Sequence, residues 1–246
     1  MGLKAAPEDQ ALLLELQELD TRVQRIDHQL RTLPETAELT RLDGEAQSLR
    51  RTLAEQTGAL EDAQAELGRV EADVAVVEAR MERDRGRLQA TSSVKDVQAL
   101  EQELEALARR RDELEEIELV VMERVEEHES ALAGTREGLA ALEARIAETT
   151  AARDAGAGAL QRERADVSTD RETIASRVPA ELLALYEKQR ARYGVGASHL
   201  RAGVSSASGV ALNATDLNVV RAAAPDDVLL CPDSSAILVR TAESGI

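Results

Sequence analysis

The sequence predicts a mainly α protein: a long, kinked antiparallel coiled-coil hairpin followed by a small C-terminal α+β module. Three observations predict it. Apolar residues recur at alternating steps of four and three through two long stretches of similar length, a short polar segment separates those stretches, and composition changes abruptly at Val178-Pro179. The domains read as 1–178 for the hairpin and 179–246 for the module.

The first seam runs through Leu12, Leu16, Leu19, Val23, Ile26, Leu30 and Leu33, the spacing of a and d positions in a coiled coil. Pro34 then marks a fresh start, with Thr32 as the expected cap and Glu35 closing a capping box. The seam resumes at Leu39, six residues past Leu33 rather than four, so a kink is expected at about 32–36. It continues through Leu42, Ala46, Leu49 and Leu53 to Met81 and Leu88. Small polar residues occupy 89–95, the expected tip, and Ser93 with Asp96 offers a new helix N-terminus. A third run, from Val97 and Leu100 through Leu114, Val121 and Leu132 to Ile146, makes a returning arm nearly as long as the outgoing one. Short connections join antiparallel neighbours, which favours an intramolecular hairpin over a parallel dimer. Gln56, Asp84, Arg111 and His128 fall within the seam, where polar residues specify register at some cost in stability. A solitary His128 lacks the convergent ligands a metal needs, and His28 lies off the seam.

Composition excludes several classes. The 246 residues include no Trp, no Phe and two Tyr, so no large aromatic core is available. The formal charge is −17, and residues 1–178 hold 40 acidic and 24 basic side chains against 7 and 6 in 179–246. The helical arms should therefore repel a phosphate backbone. One cysteine, Cys231, excludes an internal disulfide and suits a reducing compartment. The first ten residues lack a signal-peptide pattern and no run reaches the roughly 20 apolar residues of a membrane span, so the expected location is cytoplasmic, without membrane contact.

In the module, Pro179 suits the first turn of a helix carrying Leu182, Leu183 and Tyr186, with Gly194 or Gly196 at its end. Tyr186 and Tyr193 stand seven apart, so they should share a face packed against the rod. Val210–Leu212 reads as a strand, Asn213 or Thr215 as the cap of a short helix ending before Pro225, and Val228–Leu230 and Ile237–Val239 as strands flanking a Cys231-Pro232-Asp233-Ser234 turn.

Several segments together resemble the bacterial C4-type zinc-ribbon family, in which a long coiled-coil hairpin carries a small ribbon: Leu3-Lys4-Ala5-Ala6-Pro7-Glu8-Asp9-Gln10 at the start, Ser93-Val94-Lys95-Asp96-Val97-Gln98-Ala99-Leu100 at the tip, Leu182-Leu183-Ala184-Leu185-Tyr186 and Ile237-Leu238-Val239-Arg240-Thr241. Two Cys-x-x-Cys pairs hold zinc in the metal-bearing members. The resemblance places them here at Ser205 and Ser208 and at Cys231 and Ser234. Three ligand positions are serine, whose hydroxyl keeps its proton at neutral pH and is a poor zinc ligand. The implied fold is a zinc-ribbon-like module lacking zinc, with no cofactor, and Ser205–Gly209 becomes an ordinary loop.

No catalytic constellation emerges. Cys231 with His199 as base has no third member and no flanking motif, and Gly194-Val195-Gly196 lacks the rest of a dinucleotide loop. The expected function is a non-enzymatic structural or adaptor protein, monomer or homodimer, with protein partners that the sequence does not name. The alternative is binding of nucleic acid, RNA in particular, or a role beside transcription or translation, through Lys188, Arg190, Arg192 and Arg201 with Tyr186 and Tyr193. That reading draws on the ribbon resemblance.

Overall fold

Helix starts and stops follow the local chemistry of the chain. The computed structural model, which describes residues 2–245, contains α1 (Pro7–Arg31), α2 (Pro34–Ala90), α3 (Val94–Arg177) and α4 (Ala180–Tyr193), then β1 (Ala197–Arg201), β2 (Val204–Ser205), α5 (Ala214–Ala222), β3 (Leu229–Leu230) and β4 (Ile237–Val239), with a closing 3-10 turn at Ala242–Ser244. Pro34 opens α2, where its missing N–H costs nothing. Thr32 does not cap α2. It terminates α1, and its hydroxyl donates back to the His28 carbonyl at 2.9 Å beside its own amide at 3.0 Å, so both of its donors are spent on the preceding helix end. At the start of α3, Ser93 Oγ accepts from the Asp96 amide at 3.5 Å.

The chain forms two compact units, Ala37–Ala151 and Met1–Thr36 with Ala152–Ile246. In the first, α2 and α3 run antiparallel. Leu39, Leu42, Ala46, Ala63 and Met81 of α2 are buried, with Leu100, Leu114, Val121 and Leu132 of α3. Ion pairs fix the direction: Glu38–Arg145 at 2.7 Å, Arg50–Glu143 at 2.7 Å, Glu66–Arg124 at 3.0 Å and Arg80–Glu103 step up one helix and down the other. Exposed pairs of this kind add little stability each. They set register. Asp84, 4% exposed within the apolar seam, is served by Arg87 at 3.3 Å from its own helix.

In the second unit, the sheet has the order β2-β1-β4-β3, with β1 parallel to β4 and the other neighbours antiparallel. Successive strand side chains alternate between faces. Ala197, Ile237 and Val239 point into a core with Leu13 and Leu16 of α1, Leu182 and Tyr186 of α4, and Val178. Leu200 and Leu238 join Leu212, Val220 and Cys231 in a second cluster.

One strand expectation requires correction, and one strand was not anticipated. Val210–Leu212 forms only a bridge, at Ala211 to Val204, while Ala197–Arg201, which has no strand signature of its own, forms β1 by pairing with β4 forty residues on. The hairpin around the Cys231 turn does form, Leu229 opposite Leu238 and Leu230 opposite Ile237. Asn213 caps α5 by accepting from the Asp216 amide at 2.9 Å. Arg240 closes the other end of α5, its guanidinium donating to the carbonyls of Ala223 at 3.0 Å, Ala224 at 2.6 Å and Asp227 at 2.9 Å.

Candidate functional site

Of the four positions that the zinc-ribbon resemblance assigns as ligands, Cys231 and Ser205 meet on the α5 side of the sheet. Cys231 is 1% exposed and its thiol donates to Ser205 Oγ at 3.4 Å. Ser205 and Ser198, both fully buried, join their hydroxyls at 2.7 Å, and Ser198 Oγ also accepts from the Ala207 amide at 3.1 Å. Burial pushes the Cys231 thiol up, but once deprotonated its sulfur can accept from the Ser205 and Ser234 hydroxyls and from the Ser234 and Asp233 amides, and these outweigh burial, leaving the thiol below its ordinary value. Ser208 stands apart, accepting from the Val210 amide at 3.3 Å. The segment expected to be an ordinary loop is therefore in part β2 and in part a turn tied to Ser198.

The donor set does not suit zinc. It offers one thiol and three serine hydroxyls, of which Ser205 is already joined in a buried chain with that thiol and Ser198, whereas structural zinc takes deprotonated sulfur or imidazole in a closed tetrahedron. Nor does His199 reach Cys231. Alternation along β1 turns it to the opposite face from Leu200, where its Nε2 lies 2.8 Å from Thr241 Oγ1. This keeps apart the Cys231–His199 pair, which the sequence already leaves without a third member. Among the described residues no three His, Cys, Asp or Glu side chains converge on a metal position, His128 included.

The residues expected to contact nucleic acid are dispersed. Tyr186 is fully buried, its hydroxyl donating to Asp20 Oδ2 at 2.7 Å, so it presents no ring for stacking. Tyr193 is 45% exposed, with the Arg192 guanidinium 5.2 Å from its ring centre. The two tyrosines do not share a packed face: α4 ends at Tyr193, and Gly194, in the left-handed conformation, turns the chain away. Arg190 is taken up by Glu187 at 2.8 Å and Asp20 at 3.3 Å, and Arg201 by Glu243 at 2.7 Å. Lys188 and Arg192 remain exposed.

Sequence reasoning missed the network that fastens α4 to α1. Asp20, 3% exposed, accepts from Tyr186 and from Arg171 at 2.6 Å, and Arg171 reaches on to Glu187. Burial, then the Asp20 carboxylate, pushes the Tyr186 phenol far up. Gln17 Oε1 accepts from the Gly196 amide at 2.7 Å. Gly196 is required sterically, since a Cβ there would sit 2.5 Å from the Tyr186 ring. An acidic residue off the α1 seam was the available signal, but its partners lie 151 and 166 residues away.

These features define the class: a coiled-coil hairpin protein carrying a small α/β module, with no helix among the described residues long and apolar enough to cross a membrane. Comparison with known proteins places it more narrowly. The family model for the CT398-like coiled coil hairpin domain matches residues 16–194, and the chain belongs to that family. It is 33% identical to "Uncharacterized protein Rv2229c" of Mycobacterium tuberculosis over 97% of this chain and 98% of that one. A solved structure from Mycobacterium smegmatis superposes with a TM-score of 0.86 at 34% identity, covering 97% and 100% of the two chains. CT398 from Chlamydia trachomatis shares the fold, with a TM-score of 0.64 at 20% identity over 94% and 97%.

Proposed function

We propose that this protein is a non-enzymatic adaptor whose helices and module bind other proteins. The supporting observation is a pair of large apolar side chains, one helical turn apart, that α3 leaves in water: Leu119 at 61% and Met122 at 46% exposure. Apolar groups gathered on a surface mark interaction sites, and a rod stabilised by an interior seam has no folding reason to keep them there. The module supports the same reading. We infer that it is a ribbon-like fold that holds without zinc, through two apolar clusters and the Ser198–Ser205–Cys231 chain, and that the protein works in the cytoplasm. The nucleic-acid reading keeps only Lys188, Arg192 and Tyr193, too small a phosphate footprint beside so acidic a chain.

Affinity capture from lysate of the source organism tests the proposal, with wild type beside the double variant Leu119→Glu, Met122→Glu. The expected result is a protein recovered by wild type and lost with the variant at unchanged helical content. Equal recovery by both would refute the use of this surface.

A further inference from the structure

A second row runs along the exposed side of α3, distinct from the seam that meets α2. It steps by four and three through Arg110, Glu113, Ile117, Val120, Arg124 and Glu127, and extends to Ala106 and Ala131, so these residues share one helical face. Ile117 is 45% and Val120 61% exposed, whereas the seam residues Leu114 and Val121 are 4% and 1%. Leu119 and Met122 lie outside the row. Beside it, a shallow groove between α3 and α2 is lined by Ile117, Val120, Val121 and Glu66.

The row mirrors itself about a point between Glu118 and Leu119, with charges inverted. Ile117 maps to Val120, Glu113 to Arg124, Arg110 to Glu127 and Ala106 to Ala131. We propose that this face binds a second copy of the same chain, α3 against α3, antiparallel about a twofold axis through that point. Symmetry then makes every contact twice. Ile117 of each copy meets Val120 of the other at the centre, with Arg110 opposite Glu127 and Glu113 opposite Arg124 on both sides.

The side chains are already prepared for this. Arg110 holds Glu113 at 3.2 Å, and Arg124 is steadied along the groove by Glu66 at 3.0 and 3.3 Å, leaving guanidinium donors for one further carboxylate. A parallel pair would set Arg110 against Arg110 and Glu127 against Glu127, so charge selects the antiparallel arrangement. An anionic or cationic partner of uniform sign would gain nothing from a row with two charges of each kind. The row extends about 38 Å at 1.5 Å per residue, a contact at the small end of specific interfaces. Association should therefore be reversible, in the micromolar range.

This inference goes beyond the adaptor reading and does not depend on it. Sedimentation equilibrium of the full chain at low salt, from about 1 to 200 μM, tests it. Wild type should show a monomer–dimer equilibrium, Arg110→Glu should raise the dissociation constant at least about tenfold, and Arg110→Glu combined with Glu127→Arg should return it to within about threefold. Both variants lose the Arg110–Glu113 contact within the chain, so that contact cannot account for a recovery. Circular dichroism confirms that the helices are intact. A wild type monomeric throughout, a dimer indifferent to Arg110→Glu, or a loss that the second change does not reverse would each overturn the proposal.

Discussion

Replacing Tyr186 by Phe removes one hydroxyl from a fully buried position and leaves the ring in place. The hydroxyl lies 2.7 Å from Asp20 Oδ2, and Asp20 is itself 3% exposed, so the lost bond is a charge-assisted one screened from water. Such bonds contribute about 1.5–3 kcal/mol. The cost stays within that range because Asp20 keeps Arg171 at 2.6 Å and Arg190 at 3.3 Å and is not left as an unpaired buried charge. A value near 2 kcal/mol corresponds to an opening equilibrium about 30-fold more favourable. Cys231 reports on it directly, being the single thiol and 1% exposed. Its modification by a water-soluble disulfide reagent, under conditions where closing outruns reaction, is proportional to the open population. Tyr186→Phe should react about 13- to 160-fold faster than wild type, and Tyr193→Phe, at an exposed position, at the wild-type rate. A Tyr186→Phe rate within twofold of wild type would refute the reasoning that this hydrogen bond fastens α4 to α1.

Three further outcomes are expected. Gly196→Ala should cost about 1–3 kcal/mol by the same thiol assay, since the new methyl meets a locked aromatic ring; an unchanged rate would show that the ring yields. Arg240→Met should cost about 1–2 kcal/mol and loosen the end of α5, seen as faster amide exchange at Val220–Ala223, because five carbonyls lose their common donor. Burial pushes the Glu187 carboxyl up, but hydrogen bonds from Arg171 and Arg190 prevail and hold it below its usual 4.5. A depressed native value stabilises the fold above the unfolded value, so that contribution is complete above about pH 4.5 and is lost as pH falls through the lower native value. Glu187→Gln should flatten this acid limb of the stability curve, and an unchanged limb would contradict the assignment.

The helical part of the fold was legible because its determinants are local. Heptad spacing, Pro34 at a first turn, Ser93 three residues before Asp96 and Asn213 three before Asp216 each act within one helical turn. Thr32 misled because the same hydroxyl serves equally to close one helix or open the next, and only the geometry of the break decides. β1 escaped notice since Ala-Ser-His-Leu-Arg carries no β-branched residue. It becomes a strand because β4 supplies its partner. The Tyr186–Asp20 pair was invisible for a related reason: long-range polar pairs leave no periodic trace in a sequence. The turn around Cys231 was legible, yet the chemistry there was not, since the thiol's neighbours Ser198 and Ser205 come from β1 and β2.

On the proposed reading, the exposed flank of α3 meets another protein. A photo-reactive phenylalanine analogue placed at Leu119, irradiated in the source organism, tests it most directly. A discrete adduct that protease removes and nuclease does not is expected. An adduct sensitive to nuclease, or none above the level given by the same analogue at the solvated position Glu101, would contradict it.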